Sequence, residues 1–517
     1  MKFLCAGRRL KYRPNITPFP NVHKYLFIIF MNQHNQEETK LTLYKRNQQL
    51  VTMVSQKIHS VLLASPGIGH LIPTIELGKR LTTHHNFDVT IFVVTTATSD
   101  SDKTKSHILQ QISNLNSLDI IVTPPVDVSD KLDPNNPSLG LQIVLTMIES
   151  LPFIRSEIQS MKNPPSVLIV DIFGTAAFPM AHEAFSRHAK NHEPLSILGC
   201  EPVRFEDTLE TFVAPWGPIH KRYVEVTREI IAIDGILVNT WHDLEPGATK
   251  AVIENGVLGR FVKGPVYPIG PLVRTGEPEK GGDSENLILS WLDQQPAESV
   301  IYLSFGSGGT MSKGQMRELA YGLELSQQRF IWVVRRPTED NASATFFNIA
   351  GADGTIMVDY LPKGFLNRTK DVGLCVPMWA PQAEILKHPS TGGFLTHCGW
   401  NSVLESIHNG VPMVAWPLYA EQKMNATMLS EELGVAVKAT KTVAEGGVVC
   451  REKIAEVIRK VMVDDEGVAM RVKVKEYKVS GEKALSVFGS SHESLCKMAK
   501  DCELHLHHGS EAKGRGA

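Results

Sequence analysis

The residues around Asn401 combine groups that could bind an anion and a sugar. The apolar run at 393–396 predicts a buried parallel strand, and the run at 402–407 predicts the helix that follows it. Asn401 and Ser402 stand at the helix start, where free backbone N–H groups and the helix dipole favour a phosphate. Glu405 shares a helical face with Asn401, and its carboxylate could accept two adjacent ribose hydroxyls. This spacing predicts a site for a nucleotide sugar.

Aromatic, acidic and amide side chains flank that turn. Trp379 offers a flat ring on which a uracil could stack. Glu421 and Gln422 are adjacent and could bridge the hydroxyl groups of a sugar. His397 and Cys398 could suggest a pair of metal ligands, but the sequence has no second His/Cys pair at ligand spacing. We therefore expect no metal in this site.

A candidate general base lies far upstream. His70 follows an apolar run and a glycine-containing turn, and Asp171 ends another apolar run. The carboxyl ends of parallel strands meet at one sheet edge, so these side chains could lie together. An imidazole titrates near neutral pH, and a carboxylate beside its other nitrogen would fix the tautomer and stabilise the imidazolium. Taken singly, His70 also fits a surface or capping residue, and Asp171 a helix cap.

Alternating strands and helices must position these groups. The first half begins with a strand at 58–64, a turn at 66–70 and a helix at 71–81, followed by strands at 89–95 and 166–171. The same order restarts with a strand at 299–305, a turn containing Ser307, and a helix that ends near Gln327. Further strands are predicted at 329–334, 373–377, 393–396 and 411–415. The fold class is α/β, with two Rossmann-like, doubly wound parallel-sheet domains facing a cleft.

Composition narrows the class of protein. The chain has 517 residues, 42% hydrophobic and 21% charged, which indicates a globular protein with two domains. Its net charge of −2 gives no reason to expect nucleic acid or an anionic membrane as a partner. The apolar run at 25–31 is too short to span a bilayer, which needs about 20 residues. Seven scattered cysteines are typical of reduced thiols, so we expect a cytoplasmic protein. We also expect a monomer.

The 44 residues Trp379–Gln422, WAPQAEILKHPSTGGFLTHCGWNSVLESIHNGVPMVAWPLYAEQ, resemble the signature box of plant family 1 UDP-glycosyltransferases. PGIGHLIP and VDIFGTAAF, around His70 and Asp171, are similar to the family segments that carry the catalytic base and its aspartate. The resemblance implies the two-domain fold called GT-B, with UDP-glucose as donor and no metal or other cofactor. The implied donor-site residues are Ser307, Trp379, Ala380, Gln382, His397, Trp400, Asn401, Ser402, Glu405, Glu421 and Gln422.

The segments FGSGGT, YGLEL and WPLYAEQKMNA resemble the clade that glucosylates small phenols such as hydroquinone and lignin-precursor alcohols. The resemblance thus implies an inverting O-glucosyltransferase with a small phenolic acceptor. Gln422 stands where family members that use UDP-glucose commonly have glutamine. The acidic motif at 100–102 matches a metal motif of other sugar transferases, but we interpret it as a solvated loop.

The resemblance also divides the chain. We expect a disordered leader or misassigned start at 1–55, with Met53 as the natural start, and a disordered tail at 505–517. The acceptor-binding domain is predicted at 56–272, a linker at 273–286 and the UDP-sugar-binding domain at 287–487. A helix at 488–504 should pack back on the N-terminal domain.

One departure from the family concerns the acceptor domain. Only the short segment Ile172–Gly199 separates Asp171 from a GC-P segment at Cys200, and it lacks a convincing strand. Losing a strand would expose neighbouring sheet edges and remove walls of the acceptor pocket. An alternative function is therefore a UDP-sugar-binding remnant or splice isoform without transferase activity. A third is a nucleotide-sugar epimerase on the same fold.

Overall fold

The computed structural model describes residues 26–31, 57–96, 118–132, 139–163, 165, 167–171, 204, 207, 234–254, 264–274, 283–338, 360–439 and 448–511. The segment Ile172–Gly199 and the acidic motif at 100–102 lie outside these residues, so the predictions made on them stay predictions.

The N-terminal half is built on a sheet of seven described strands in the order β4-β3-β2-β5-β1-β6-β7. These strands are β1 (Leu26–Met31), β2 (Ile58–Ala64), β3 (Phe87–Val93), β4 (Asp119–Val122), β5 (Val167–Val170), β6 (Gly235–Val238) and β7 (Val266–Pro268). Among the described residues, the α-helices of this half are α1 (Ile68–His84), α2 (Leu139–Ser160) and α3 (Pro246–Glu254). Apart from β1, neighbouring strands pair in parallel, as the alternating pattern predicts.

Strand β1 differs from what we expect of the leader. Residues 26–31 form a strand inside the sheet, where β1 pairs antiparallel with β5 on one side and β6 on the other. The sequence Leu-Phe-Ile-Ile-Phe-Met is rich in β-branched and aromatic residues, which favour a central strand. The prediction of a disordered leader is therefore wrong for these six residues.

The C-terminal half contains an all-parallel sheet of six described strands in the order β10-β9-β8-β11-β12-β13. They are β8 (Val300–Ser304), β9 (Arg329–Val334), β10 (Gly373–Pro377), β11 (Thr391–Thr396), β12 (Met413–Ala415) and β13 (Ala436–Lys438). The helices are α4 (Asp283–Asp293), α5 (Lys313–Ser326), α6 (Phe365–Thr369), α7 (Gln382–Lys387), α8 (Trp400–Asn409), α9 (Gln422–Thr427), α10 (Arg451–Met462), α11 (Asp465–Leu485) and α12 (Ser490–Glu511). The prediction of two doubly wound halves is confirmed.

Helix α12 crosses back to the N-terminal half. Its Leu495, Met498 and Cys502 are buried in one core cluster with side chains of β2, β3 and β5. The hydroxyl of Tyr267 donates a hydrogen bond to Asp501 at 2.6 Å. The helix continues through residue 511, so the tail expected to be disordered from 505 is helical over its first seven residues. Helix α4 likewise begins inside the expected linker, at Asp283.

Helix α2 is apolar along most of its length. Within the described residues it alone, over Leu139–Ile158, is long and apolar enough to cross a membrane by length and composition. Its Met147 and Ile154 are buried in a core cluster with Phe92 and Val170. One face of α2 therefore packs on the core of this half, whereas its Ile148 and Leu151 are each 42% exposed.

Candidate functional site

His70 and Asp171 meet at the carboxyl edge of the N-terminal sheet. His70 lies in the first turn of α1, directly after β2, and Asp171 follows β5, the parallel neighbour of β2. The imidazole Nδ1 lies 3.1 Å from the carboxylate Oδ2. The side chain of Asp171 is 1% exposed and that of His70 11%. The two side chains thus lie together at the strand ends, with the imidazole nearer to solvent.

Ser65, which the sequence did not single out, completes this pair. Its hydroxyl donates to Asp171 Oδ1 at 2.5 Å, and its backbone N–H donates to Oδ2 at 3.1 Å. Burial by itself raises the pKa of Asp171, but the charge and hydrogen bond of His70 and the two Ser65 bonds outweigh it and hold that pKa below its usual value. Asp171 is therefore an ionised carboxylate, which can orient and stabilise a protonated His70.

In the C-terminal half, Glu405, Gln382 and Ser402 form one polar cluster. Nε2 of Gln382 donates to Glu405 Oε2 at 2.6 Å and to Ser402 Oγ at 3.0 Å. Burial raises the pKa of Glu405, although the bond from Gln382 opposes this shift. Hydroxyl groups donating to the carboxylate would favour its charged form further, as the predicted ribose contact requires.

His397 stands between β11 and α8, with its ring enclosed by two glycines. A Cβ atom at Gly306 would lie 2.5 Å from the ring, and one at Gly399 would lie 2.4 Å from Nε2. Gly306 also has a φ of +75°, so a side chain there would be strained as well as crowded. Burial, with a smaller contribution from the charge of Arg335, lowers the pKa of His397 to about 4. The imidazole is therefore neutral at pH 7, and it can provide a hydrogen bond but no charge.

Arg335 provides the charge that His397 lacks, and sequence reasoning missed it. It follows β9 and is 8% exposed. Its Nη1 donates to the carbonyl of Ser307 at 2.8 Å, inside the glycine-rich turn after β8. In the part of the chain that the structure describes, no Asp or Glu forms an ion pair with this guanidinium, and burial lowers its pKa to about 10. A buried cation without a carboxylate suits a site that receives an anionic ligand.

The two halves touch at the start of α8. Nδ2 of Asn401 donates to the carbonyl of Gly69 at 2.7 Å, one residue before the candidate base. The indole N–H of Trp400 donates to the carbonyl of Asn239 at 2.8 Å, and Trp400 is 1% exposed. Trp400 therefore lies in the core where the halves meet, rather than at the surface of a sugar pocket. These contacts bring the N-terminus of α8, which could bind a phosphate, close to the candidate base His70.

The remaining predicted donor-site residues lie on the same side of the C-terminal sheet. Trp379 is half-buried after β10, and Ala380 beside it is buried. Glu421 is half-buried at the start of α9. Gln422 is 3% exposed, and its Oε1 accepts the backbone N–H groups of Leu418 and Tyr419 at 2.9 and 3.0 Å. Because that oxygen is occupied, a sugar contact from Gln422 has to come from its amide nitrogen.

Sequence signals for the missed residues differ. Ser65 and Arg335 each stand directly after a predicted strand, so the rule that sites form at strand ends could have found them. Asn239 follows β6, which the sequence did not predict, and its contact with Trp400 spans 161 residues.

The buried neutral His397 makes stability depend on pH. Its folded pKa of about 4 lies below the ordinary 6.5, so between these values the unfolded chain binds a proton that the folded chain does not. The free energy of unfolding should fall as pH falls, with about 2 kcal/mol from this residue between pH 7 and pH 5. Urea unfolding at both pH values should show a smaller fall for His397→Gln than for the wild type. The exposed His242→Gln is the control, and equal falls in all three proteins would contradict the prediction.

The sequence of this chain is similar to those of known proteins. A family model described as UDP-glucoronosyl and UDP-glucosyl transferase matches residues 283–470. UDP-glycosyltransferase 72E1 of Arabidopsis thaliana is 45% identical over 494 residues, covering 89% of this chain and 99% of that protein. The hydroquinone glucosyltransferase of Rauvolfia serpentina is 41% identical over 471 residues, covering 85% of this chain and 97% of that protein.

A solved structure shares the fold. Phytolacca americana UGT2, complexed with UDP-2fluoro-glucose and pterostilbene, matches with a TM-score of 0.71 and 35% identity, covering 86% of this chain and 100% of that one. The match extends over both halves, which are therefore the two Rossmann-like domains of a GT-B fold. With near-complete coverage of relatives more than 40% identical, this chain belongs to the plant family 1 UDP-glycosyltransferases.

Proposed function

We propose that this UDP-glycosyltransferase is an inverting O-glucosyltransferase that uses UDP-glucose and a small phenolic acceptor, hydroquinone-like or monolignol-like. The observation that carries the proposal is the 3.1 Å contact between His70 and Asp171, one residue from the bond that joins Gly69 to Asn401. A proton acceptor thereby stands beside the helix start suited to a diphosphate.

In the proposed reaction, Nε2 of His70 removes the proton of the acceptor hydroxyl. The resulting oxygen attacks the anomeric carbon on the face opposite UDP, and the bond to the diphosphate oxygen breaks with its electron pair. UDP leaves, the configuration at the anomeric carbon inverts, and His70 later releases its proton to solvent. The ionised Asp171 stabilises the imidazolium while it carries that proton.

The donor is assigned to the C-terminal half. Trp379 stacks on uracil, with Ala380 beside it, and Glu405, held by Gln382, accepts the ribose hydroxyls. His397, Ser307, Asn401, Ser402 and the α8 start bind the diphosphate, with the charge of Arg335 behind them. These donors carry the leaving-group charge, so the proposed reaction uses no metal ion.

The acceptor class is argued from relatives. One similar enzyme is named for hydroquinone, and one similar structure holds the phenol pterostilbene. Both ligands present a phenolic hydroxyl, whose proton an imidazole near neutral pH can accept. We also propose that the protein acts as a cytoplasmic monomer without nucleic acid or membrane partners.

The non-catalytic alternative rests on the short segment Ile172–Gly199, which lies outside the described residues. Two assays distinguish an active enzyme from a non-catalytic protein: a thermal-shift assay with UDP-glucose and a glucosylation assay on a panel of phenols. Stabilisation with turnover supports the enzyme, whereas stabilisation without turnover of any phenol supports a UDP-sugar-binding remnant. Isomerisation of the sugar without an acceptor would indicate an epimerase.

Replacing the base should separate chemistry from donor binding. His70→Ala should lower kcat for phenol glucosylation by about 10²–10⁴-fold, because general-base assistance is lost. Its affinity for UDP, measured by calorimetry, should stay unchanged. His242→Ala, which removes an exposed histidine, is the control. Wild-type turnover in His70→Ala would rule out this mechanism.

The buried guanidinium should act on the diphosphate and not on the nucleoside. Arg335→Gln should weaken UDP binding by about tenfold or more, because a nearby unscreened charge is lost. Uridine, which has no phosphate, should bind as before. Arg336→Gln makes the same charge change at the exposed neighbouring position. Equal weakening of UDP and uridine in Arg335→Gln would show that the residue only supports the local fold.

Donor choice should depend on the amide nitrogen of Gln422. An equatorial hydroxyl at the fourth carbon can accept from this group, and losing such a contact costs on the order of 1–3 kcal/mol. We therefore expect UDP-glucose to be used about tenfold or more better than UDP-galactose. Gln422→His should narrow or invert the ratio of kcat/KM values for the two donors. Equal use of both donors by the wild type would remove this role from Gln422.

A further inference from the structure

Strand β1 lies between β5 and β6 in the N-terminal sheet. Ile28 pairs with Val170 of β5 on one side and with Ile236 of β6 on the other. Because β1 is antiparallel to both, β5 and β6 run in the same direction, as do the other described strands. A strand from the far N-terminus has thus been inserted, in the opposite direction, into an otherwise parallel sheet.

Without β1 the two parts of this sheet would share no hydrogen bonds. Neighbouring strands lie about 4.8 Å apart, so β5 and β6 are separated by about 10 Å, whereas an N–H···O bond needs about 3 Å. Removing β1 would leave a four-stranded part, β4-β3-β2-β5, and a two-stranded part, β6-β7. Each part would have a new open edge at the centre of the domain.

Both strands that β1 joins lead directly into the functional site. Val170, which pairs with Ile28, is followed by Asp171. Val238, which pairs with Leu26, is followed by Asn239. The carbonyl of Asn239 accepts a hydrogen bond from the indole N–H of Trp400. Strand β1 therefore fixes the spacing between the carboxylate that orients His70 and the contact that joins the two domains.

Closing the gap by direct pairing of β5 with β6 would need a shift of about 5 Å. Contacts on the β6–β7 side oppose such a shift. The carbonyls of Ile269 and Pro271 accept hydrogen bonds from Arg80 at 3.1 and 2.7 Å, and the carbonyl of Gly270 accepts one from Ser491 at 2.6 Å. These contacts hold the chain after β7 to α1 and α12, which pack with β2 and β3 in the same core.

We propose that Leu26–Met31 is an intramolecular complementing strand, which takes the place of a central strand and is required to position Asp171 and the domain contact at Asn239. The expected loss of glucosylation without this strand rests on the proposed function, whereas the expected loss of sheet pairing does not. A chain that starts at Met53 would lack this strand.

Backbone hydrogen bonding by β1 can be removed while its apolar character is kept. In the full chain, Ile28→Pro with Ile29→Pro eliminates two N–H groups from the central ladder. Ile28→Val with Ile29→Val is the matched control, because valine keeps both N–H groups and favours strands. The chain 53–517 removes the strand altogether.

Amide hydrogen exchange is the primary measurement. In the proline variant and in the chain 53–517, the amides of 167–170 and 235–238 should exchange at least tenfold faster than in the valine control. The amides of 300–304 in the donor domain should keep their protection, and UDP should still raise the Tm. Phenol glucosylation should fall at least tenfold in the same two proteins.

Exchange that is equally slow in 167–170 and 235–238 of all three proteins would overturn the proposal, since the sheet would then hold together without β1. The exchange result decides the role of the strand even if no form of the protein glucosylates a phenol. Failure of the proposed function is therefore distinguishable from failure of this inference.

Discussion

The site depends on keeping one buried carboxylate ionised. Asp171 is almost fully enclosed, and burial alone would favour its neutral form. The imidazole of His70 and both donors of Ser65 offset this cost, and all three groups are fixed by the strand-end geometry of β2 and β5. A neutral Asp171 could not stabilise a protonated imidazole at His70. The pairing register of these two strands therefore fixes the geometry on which the proposed base depends.

The donor domain handles charge in the opposite way. Arg335, His397 and Glu405 form no ion pair with one another: Arg335 donates to a carbonyl, His397 is held neutral, and Glu405, which accepts a hydrogen bond from Gln382, has a raised pKa. Burial disfavours the charged forms of Arg335 and Glu405, and different parts of a nucleotide sugar would complement these two groups. A diphosphate would pair the guanidinium, and ribose hydroxyls would donate to the carboxylate. Electrostatics of this kind favours binding of the whole donor over binding of its fragments.

Local sequence patterns predicted the elements that position most of the site. Strands β2, β5, β8, β9, β10, β11 and β12 are continuous apolar runs with turn residues after them, so the residues at their carboxyl ends could be identified directly. Two contacts were not predicted, one because it is distant in sequence and the other because it is made to the backbone. The position of Trp400 is set by Asn239, and the oxygen of Gln422 is taken by a backbone turn that side-chain chemistry does not reveal.

The pairing of strand β1 also could not be predicted from local sequence patterns. The run Leu26–Met31 is apolar and too short to span a membrane, and nothing adjacent to it in the sequence gives it a partner. Its partners lie 136 or more residues away, at 167–170 and 235–238. The short segment after Asp171 predicted a missing strand and exposed edges, whereas the described sheet is continuous through β1. A sheet requires a hydrogen-bonding strand of suitable length at each position, but neither its direction nor its place in the chain is fixed by that requirement.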